Sequence, residues 1–115
     1  MLTHLHRVEL ATAWHLKVFR RELDLATVGR ALGDLENDVE AGVWEFPDYD
    51  LVNVHSRGEI LARQHAAALG IRTLDILHVA AAVLLGALDF VTGDRRQASL
   101  AESIGLKVTR YRTRD

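Results

Sequence analysis

The chain has 115 residues, enough for one domain with a single core. Its net charge of −2 excludes a globally basic nucleic-acid-binding protein, so any contact with nucleic acid needs a local patch. Because it has no cysteine, a disulfide framework and a thiolate metal site are excluded. No apolar run reaches the ~18 residues of a membrane span, and no secretory signal is recognisable. We therefore expect a cytoplasmic protein that does not contact a membrane.

The first part of the chain carries two helical patterns and one strand pattern. Residues 3–21 predict an amphipathic helix, in which Glu9 lies at the edge of the apolar stripe. That stripe consists of Leu5, Val8, Thr12, Leu16 and Phe19. Residues 25–41 predict a second helix. The short apolar run at residues 43–46, which ends before Pro47, predicts a strand.

The next predicted helices are residues 51–69 and residues 74–85. The second of these is apolar on almost every side, which is typical of a helix buried between layers. Thr73 is its expected N-cap, so Asp75 falls in the first turn, where the helix dipole favours a carboxylate. His78 follows one turn later, and we interpret it as a hydrogen-bonded interior histidine rather than a metal ligand.

The last predicted elements are a buried strand at residues 87–92, a helix at 95–104 and a strand at 106–110. Strands that alternate with helices after residue 43 predict an α/β fold with three parallel strands. Asp94 follows the middle strand after Gly93 and is the expected N-cap of the next helix. Ligands of open α/β sheets bind at this end of the strands.

Several of these runs resemble one protein family. TLDILHVAAA at residues 73–82, GALDFVTGDRR at 86–96 and GLKV at 105–108 resemble the carboxyl half of a PIN domain of the VapC-like toxin type. RVELATA at residues 7–13 resembles the early helix of that family, which carries an acid of its metal site. The resemblance implies one PIN-like domain over residues 1–115, a three-layer α/β/α fold with a short parallel sheet.

The family is known for metal-dependent ribonuclease activity with Mg²⁺ or Mn²⁺. The resemblance implies that Glu9, Asp75 and Asp94 are metal ligands and that they act with Thr92 in catalysis. The implied partners are an RNA substrate, a cognate antitoxin protein that covers the acidic pocket, and a second copy in a homodimer. Family members normally open with a strand that ends in Asp-Thr or Asp-Ser, and none precedes Thr3. We therefore expect a PIN domain that lacks its N-terminal strand and first acid.

The chemistry of these residue types fits phosphodiester hydrolysis. Carboxylates that converge repel one another when ionised, so they favour a bound cation. A hard ion such as Mg²⁺ prefers oxygen ligands, and it activates water and offsets charge at the leaving oxygen. Arg95 and Arg96 could bind RNA phosphate beside the acids.

Each of these residues also has a purely structural interpretation. Asp94 can be a helix cap alone, and Asp75 an acid that only suits the helix dipole. Glu9 can be a solvated flank, Thr92 a packed strand residue, and Arg95 and Arg96 a solvated helix start.

Three functions are therefore open at the level of the sequence. The leading one is a metal-dependent endoribonuclease of the toxin–antitoxin type. The alternative is a catalytically inactive PIN remnant that acts as a protein-binding or regulatory module. The third is an unrelated α/β interaction domain, which requires the acids to be scattered in space.

Overall fold

The computed structural model describes residues 2–111, in which five helices and two strands are formed. The chain divides into two compact units, residues 1–48 and residues 49–115. The described residues are rich in helix and carry one small parallel sheet, which is compatible with the α/β class. Within residues 2–111, no helix is long and apolar enough to cross a membrane.

The first unit contains helix α1 (His4–Phe19) and helix α2 (Leu25–Glu40), which confirms both predicted helices within two residues. Helix α1 begins after Thr3, whose hydroxyl accepts the backbone N–H of His6 at 3.2 Å. Helix α2 begins after Asp24, whose carboxylate accepts the backbone N–H of Thr27 at 2.7 Å. Both side chains satisfy N–H groups that the first turn of a helix leaves unpaired.

The predicted apolar stripe of α1 faces outward. Val8 is 62 % exposed, Leu16 43 % and Phe19 84 %. The half-buried apolar side chains of α1 follow a different helical stripe, which includes Leu10, Trp14 and Val18. We use the name exposed stripe of α1 for four residues, Val8, Thr12, Leu16 and Phe19. An open groove of about 450 Å³ runs along it and is lined by Ala11, Thr12, His15, Leu16 and Phe19.

Residues 43–46 do not form the predicted strand, so that prediction is wrong. Gly42 ends α2 in a left-handed conformation, with φ at 77°. The backbone N–H of Val43 then donates to the carbonyl of Asp38 at 2.9 Å, which closes the last turn of α2. A strand is formed only where its backbone groups pair with a neighbouring strand. The described sheet accordingly has two strands rather than three.

The second unit contains the remaining elements, and its predicted elements are confirmed within two residues. They are α3 (Leu51–Leu69), α4 (Thr73–Leu84), β1 (Asp89–Thr92), α5 (Arg95–Ser103) and β2 (Lys107–Arg110). Asp50 caps α3 by accepting the N–H of Val52 at 2.9 Å, and Gly70 ends it with φ at 64°. The expected cap of α4 is wrong, because Arg72 holds that position without a side-chain bond and Thr73 is the first helical residue.

Strands β1 and β2 pair in parallel, with Asp89 opposite Lys107 and Thr92 opposite Arg110. Phe90 packs against the core of the second unit from the inner face of the sheet. The outer face carries the exposed side chains of Asp89, Val91, Lys107 and Thr109. Helices of this unit thus cover one face of its sheet. The PIN-like three-layer arrangement stays a prediction.

A contiguous apolar core holds the second unit together. Its buried members are Val54, Leu61, Ile71, Ile76, Val79, Ala80, Ala81, Leu100 and Ala101. Helix α4 supplies four of these residues, yet Leu74 is 51 % and Leu84 is 39 % exposed, so the expected burial of this helix on all sides is not met. The core brings the beginnings of α4 and α5 beside the carboxyl end of β1.

Candidate functional site

Three of the predicted site residues come together in the second unit. Asp75 lies in the first turn of α4, Thr92 is the last residue of β1, and Asp94 is the N-cap of α5. Their meeting point is Gln97, in the first turn of α5. We refer to Asp75, Thr92, Asp94 and Gln97 as the β1 rim. Asp75 and Asp94 are therefore close together, whereas an unrelated interaction domain would require the acids to be far apart.

The β1 rim is a connected hydrogen-bond network. The side-chain amide of Gln97 donates from Nε2 to Oδ1 of Asp75 at 2.7 Å. Its backbone N–H donates to Oδ1 of Asp94 at 2.9 Å, which is the cap of α5. The hydroxyl of Thr92 donates to Oε1 of Gln97 at 2.9 Å and accepts the backbone N–H of Asp94 at 3.0 Å. One glutamine therefore contacts both carboxylates and the hydroxyl.

Burial within the β1 rim increases from Asp94 to Thr92. Asp94 is exposed, Asp75 and Gln97 are half-buried, and Thr92 is 5 % exposed. Both acids lie at helix N-termini, where the dipole stabilises a negative charge. The predicted cap role of Asp94 is confirmed by its bond to Gln97. This cap bond uses only part of the acceptor capacity of a carboxylate, so it does not contradict a role of Asp94 as a metal ligand, which stays a prediction.

His78 lies one turn after Asp75 on α4 and is 7 % exposed, as expected of an interior histidine. Burial lowers the pKa of His78 below its usual 6.5, because the charged imidazolium loses solvation. The negative charge of Asp75 opposes this change in the pKa of His78. A neutral imidazole therefore belongs to the folded state.

Glu9 belongs to α1 of the first unit and is half-buried. Its convergence with Asp75 and Asp94 stays a prediction. Within residues 2–111, no group of three or more His, Asp or Glu side chains is arranged to hold a metal ion. Arg95 and Arg96, the first two residues of α5, are exposed beside Asp94.

Sequence reasoning missed Gln97. The spacing Asp94-x-x-Gln97 is that of a capping box, in which the side chain at the third helical position bonds back to the cap of its own helix. Gln97 instead reaches Asp75, 22 positions earlier on another helix. The signal for a polar residue was present in the sequence, but its partner could not be identified without the fold.

Comparisons with known proteins add no family to this picture. No protein-family model matches the chain, and neither a curated protein nor a solved structure is found to be similar to it.

Proposed function

We propose that this chain is a metal-dependent endoribonuclease of the PIN type. The observation that carries the proposal is the meeting of Asp75 and Asp94 on one residue, Gln97, beside the end of β1. Ligand sites of α/β proteins form at this end of the strands. Mg²⁺ is usually held by one or two carboxylates together with substrate phosphates, so two acids provide a sufficient protein contribution.

The donor atoms of the β1 rim fit Mg²⁺ or Mn²⁺. They are carboxylate and hydroxyl oxygens, the hard ligands that these ions prefer. Asp75 and Asp94 are the proposed ligands in this rim, whereas Glu9 remains the ligand that the family resemblance alone implies. When bound, the cation supplies an activated water and offsets negative charge at the leaving oxygen of a phosphodiester.

Thr92 of the rim and the neighbouring Arg95 and Arg96 have supporting roles in this proposal. Thr92 keeps the backbone of Asp94 in place through its hydroxyl, which accepts the N–H of Asp94. Arg95 and Arg96 are exposed at the N-terminus of α5, where the helix dipole and the guanidinium groups both attract an anion. We propose that they bind an RNA phosphate next to the acids. The toxin–antitoxin character, the cognate antitoxin, the homodimer and the cytoplasmic location rest on the sequence alone.

The test is cleavage of labelled RNA by the full chain with Mn²⁺ or Mg²⁺, and with a chelator. Asp75→Asn and Asp94→Asn remove the charge but keep an oxygen acceptor, and asparagine caps helices as well as aspartate does. We expect each substitution to lower cleavage by at least about 100-fold, since losing even an outer-shell partner of a metal costs 10–100-fold.

Asp89→Asn is the matched control. Asp89 is an exposed acid at the opposite end of the same strand, so this substitution makes the same chemical change away from the rim. Cleavage that survives the chelator, or that falls equally in all three variants, would contradict the proposal.

The second candidate function is a protein-binding module without catalysis. It is favoured by the exposed stripe of α1, since contiguous apolar surface marks interaction sites on soluble proteins. A chain that binds no divalent cation and cleaves no RNA would favour this alternative.

A further inference from the structure

We propose that Gln97 is the positioning residue of the β1 rim. It fixes the carboxylate of Asp75 against the end of β1, and it thereby sets how tightly the rim holds a divalent cation. The statement about the cation rests on the proposed function, whereas the positioning of Asp75 does not.

The first argument is the number of elements that Gln97 joins. Its side chain bonds to Asp75 of α4 and to Thr92 of β1, and its backbone bonds to Asp94 before α5. The distances lie between 2.7 and 2.9 Å, which is close to the optimum for bonds of these types.

The second argument is that the bonds fix which way the amide points. An ionised carboxylate only accepts hydrogen bonds, so the atom of Gln97 beside Asp75 must be the NH₂ group. The oxygen of the amide then faces Thr92. The hydroxyl of Thr92 accepts the backbone N–H of Asp94 with a lone pair and donates its hydrogen to this oxygen. The reversed amide would place two acceptors together at Asp75. The network therefore specifies a single orientation.

The third argument concerns the cost of binding. Asp75 is half-buried at the start of α4, where its side chain has several staggered conformations to choose from. The bond from Gln97 selects one of them before any cation arrives. Partners of metal ligands act in this way, and losing one typically weakens metal binding by 10–100-fold.

The test compares Gln97→Leu with Gln64→Leu in a calorimetric Mn²⁺ titration of the full chain. Gln64 is the other glutamine of the chain and is exposed on α3, so it provides the same chemical change without the network. We expect Gln97→Leu to weaken Mn²⁺ binding by about tenfold or more and Gln64→Leu to leave it unchanged. Leucine keeps the backbone N–H that caps α5, so the helix start is retained.

A spectroscopic measurement on the unmodified glutamine separates positioning from folding. In ¹H–¹⁵N spectra, the side-chain amide signals of Gln97 should lie apart from those of Gln64. In the Asp75→Ala variant they should move toward the signals of Gln64, because the acceptor is gone. This measurement decides the positioning even if Gln97→Leu fails to fold.

The outcomes distinguish the two proposals. Equal Mn²⁺ affinity in Gln97→Leu and wild type overturns the role of Gln97 and leaves the nuclease standing. A wild-type chain that binds no Mn²⁺ overturns the proposed function and the cation role together. Amide signals of Gln97 that do not respond to Asp75→Ala overturn the positioning of Asp75.

Discussion

The two units of this chain bury apolar residues very differently. In the second unit, α3, α4 and α5 share a contiguous core that includes the fully buried Val79 and Leu100. Within residues 2–48 of the first unit, only Leu2, Thr3 and Val28 are buried. Helix α1 has no buried residue at all, although its apolar pattern is regular. A helical pattern thus indicates a helix, but it does not show that its apolar side has a partner.

This difference bears on the candidate site. Asp75, Thr92 and Asp94 begin or end elements that the core of the second unit packs together. Their positions are therefore fixed by burial as well as by hydrogen bonds. Glu9 belongs to a helix whose apolar stripe is exposed, so its environment depends on fewer buried contacts.

The largest effect is expected from Leu100→Ala in the second unit. Leu100 is 0 % exposed, and its truncation leaves a cavity in the core of that unit. Such substitutions cost about 2–5 kcal/mol of the free energy of unfolding. Urea unfolding followed by circular dichroism measures the loss.

Val28→Ala is the counterpart in the first unit, where Val28 is 1 % exposed. It removes two buried methyl groups, worth about 1.6 kcal/mol. If Val28→Ala destabilises the chain as much as Leu100→Ala does, the contrast between the two units is wrong.

The next effect is expected from the two aspartate caps. Asp94→Ala removes the cap of α5, which costs about 1 kcal/mol, and α5 is a helix with three buried residues, Ala98, Leu100 and Ala101. Asp24→Ala removes the cap of α2, whose buried residue is Val28. The midpoint of thermal unfolding should therefore fall further in Asp94→Ala than in Asp24→Ala.

Asp94→Asn keeps the cap and is the control for this pair. It should unfold like the wild-type chain while losing the proposed cleavage. If Asp94→Ala and Asp94→Asn lower the midpoint of thermal unfolding equally, the cap bond does not account for the loss of stability in Asp94→Ala.

The elements of the second unit were predictable because their signals are local. Asp50, Gly70 and Asp94 begin or end helices through bonds and φ angles within their own neighbourhood of the sequence. The strand at residues 43–46 failed because a strand requires a ladder of bonds to a distant segment. Val43 instead contributes its N–H to the end of α2, and the carbonyl of Glu45 accepts a single bond from Leu2. The apolar stripe predicted for α1 is exposed for a related reason, since neighbouring elements decide which side of a helix is buried.

The same difference between local and distant signals applies to the candidate site. Thr92 and Asp94 are two positions apart, so the sequence alone places them at one strand end. Asp75 reaches that place through the packing of α4, and Gln97 joins it over 22 positions. No local spacing encodes that bond, which is why Gln97 was not predicted.

A smaller effect distinguishes the units by pH. Burial lowers the pKa of His78 in the second unit, so the unfolded chain takes up a proton before the folded chain does. The stability linked to His78 is complete above pH 6.5 and is lost as the pH falls from there through the lowered value. The protection of second-unit peptides against hydrogen exchange, measured relative to the intrinsic exchange rate at each pH, should therefore decrease in mildly acidic solution. In His78→Leu this pH dependence should vanish, whereas in His55→Leu, a change of an exposed histidine on α3, it should remain.

In the first unit, the carboxylate of Asp24 should respond in more acidic solution. Hydrogen bonds from the backbone and side chain of Thr27 lower the pKa of Asp24 below 3.8. The stability linked to Asp24 is complete above that pH and is lost as the pH falls through the lowered value. Peptides of both units that begin to lose protection at the same pH would contradict this difference in pH response.

The smallest effect on stability, and the sharpest test of the first unit, is expected from Phe19→Ser. Phe19 is 84 % exposed, so the free energy of unfolding should change by less than about 0.5 kcal/mol. If the exposed stripe of α1 forms the proposed homodimer contact, the same substitution should shift the chain to monomer in sedimentation velocity.

Leu88→Ser is the control for that experiment, since Leu88 is 81 % exposed immediately before β1 in the second unit. Loss of association in Leu88→Ser but not in Phe19→Ser would assign self-association to the second unit. A wild-type chain that stays monomeric at every concentration would remove the homodimer altogether. In that case the exposed apolar side chains of α1 are free for a different protein partner. The two units then differ in role: the second is stabilised by its own core, and the first presents apolar surface for binding.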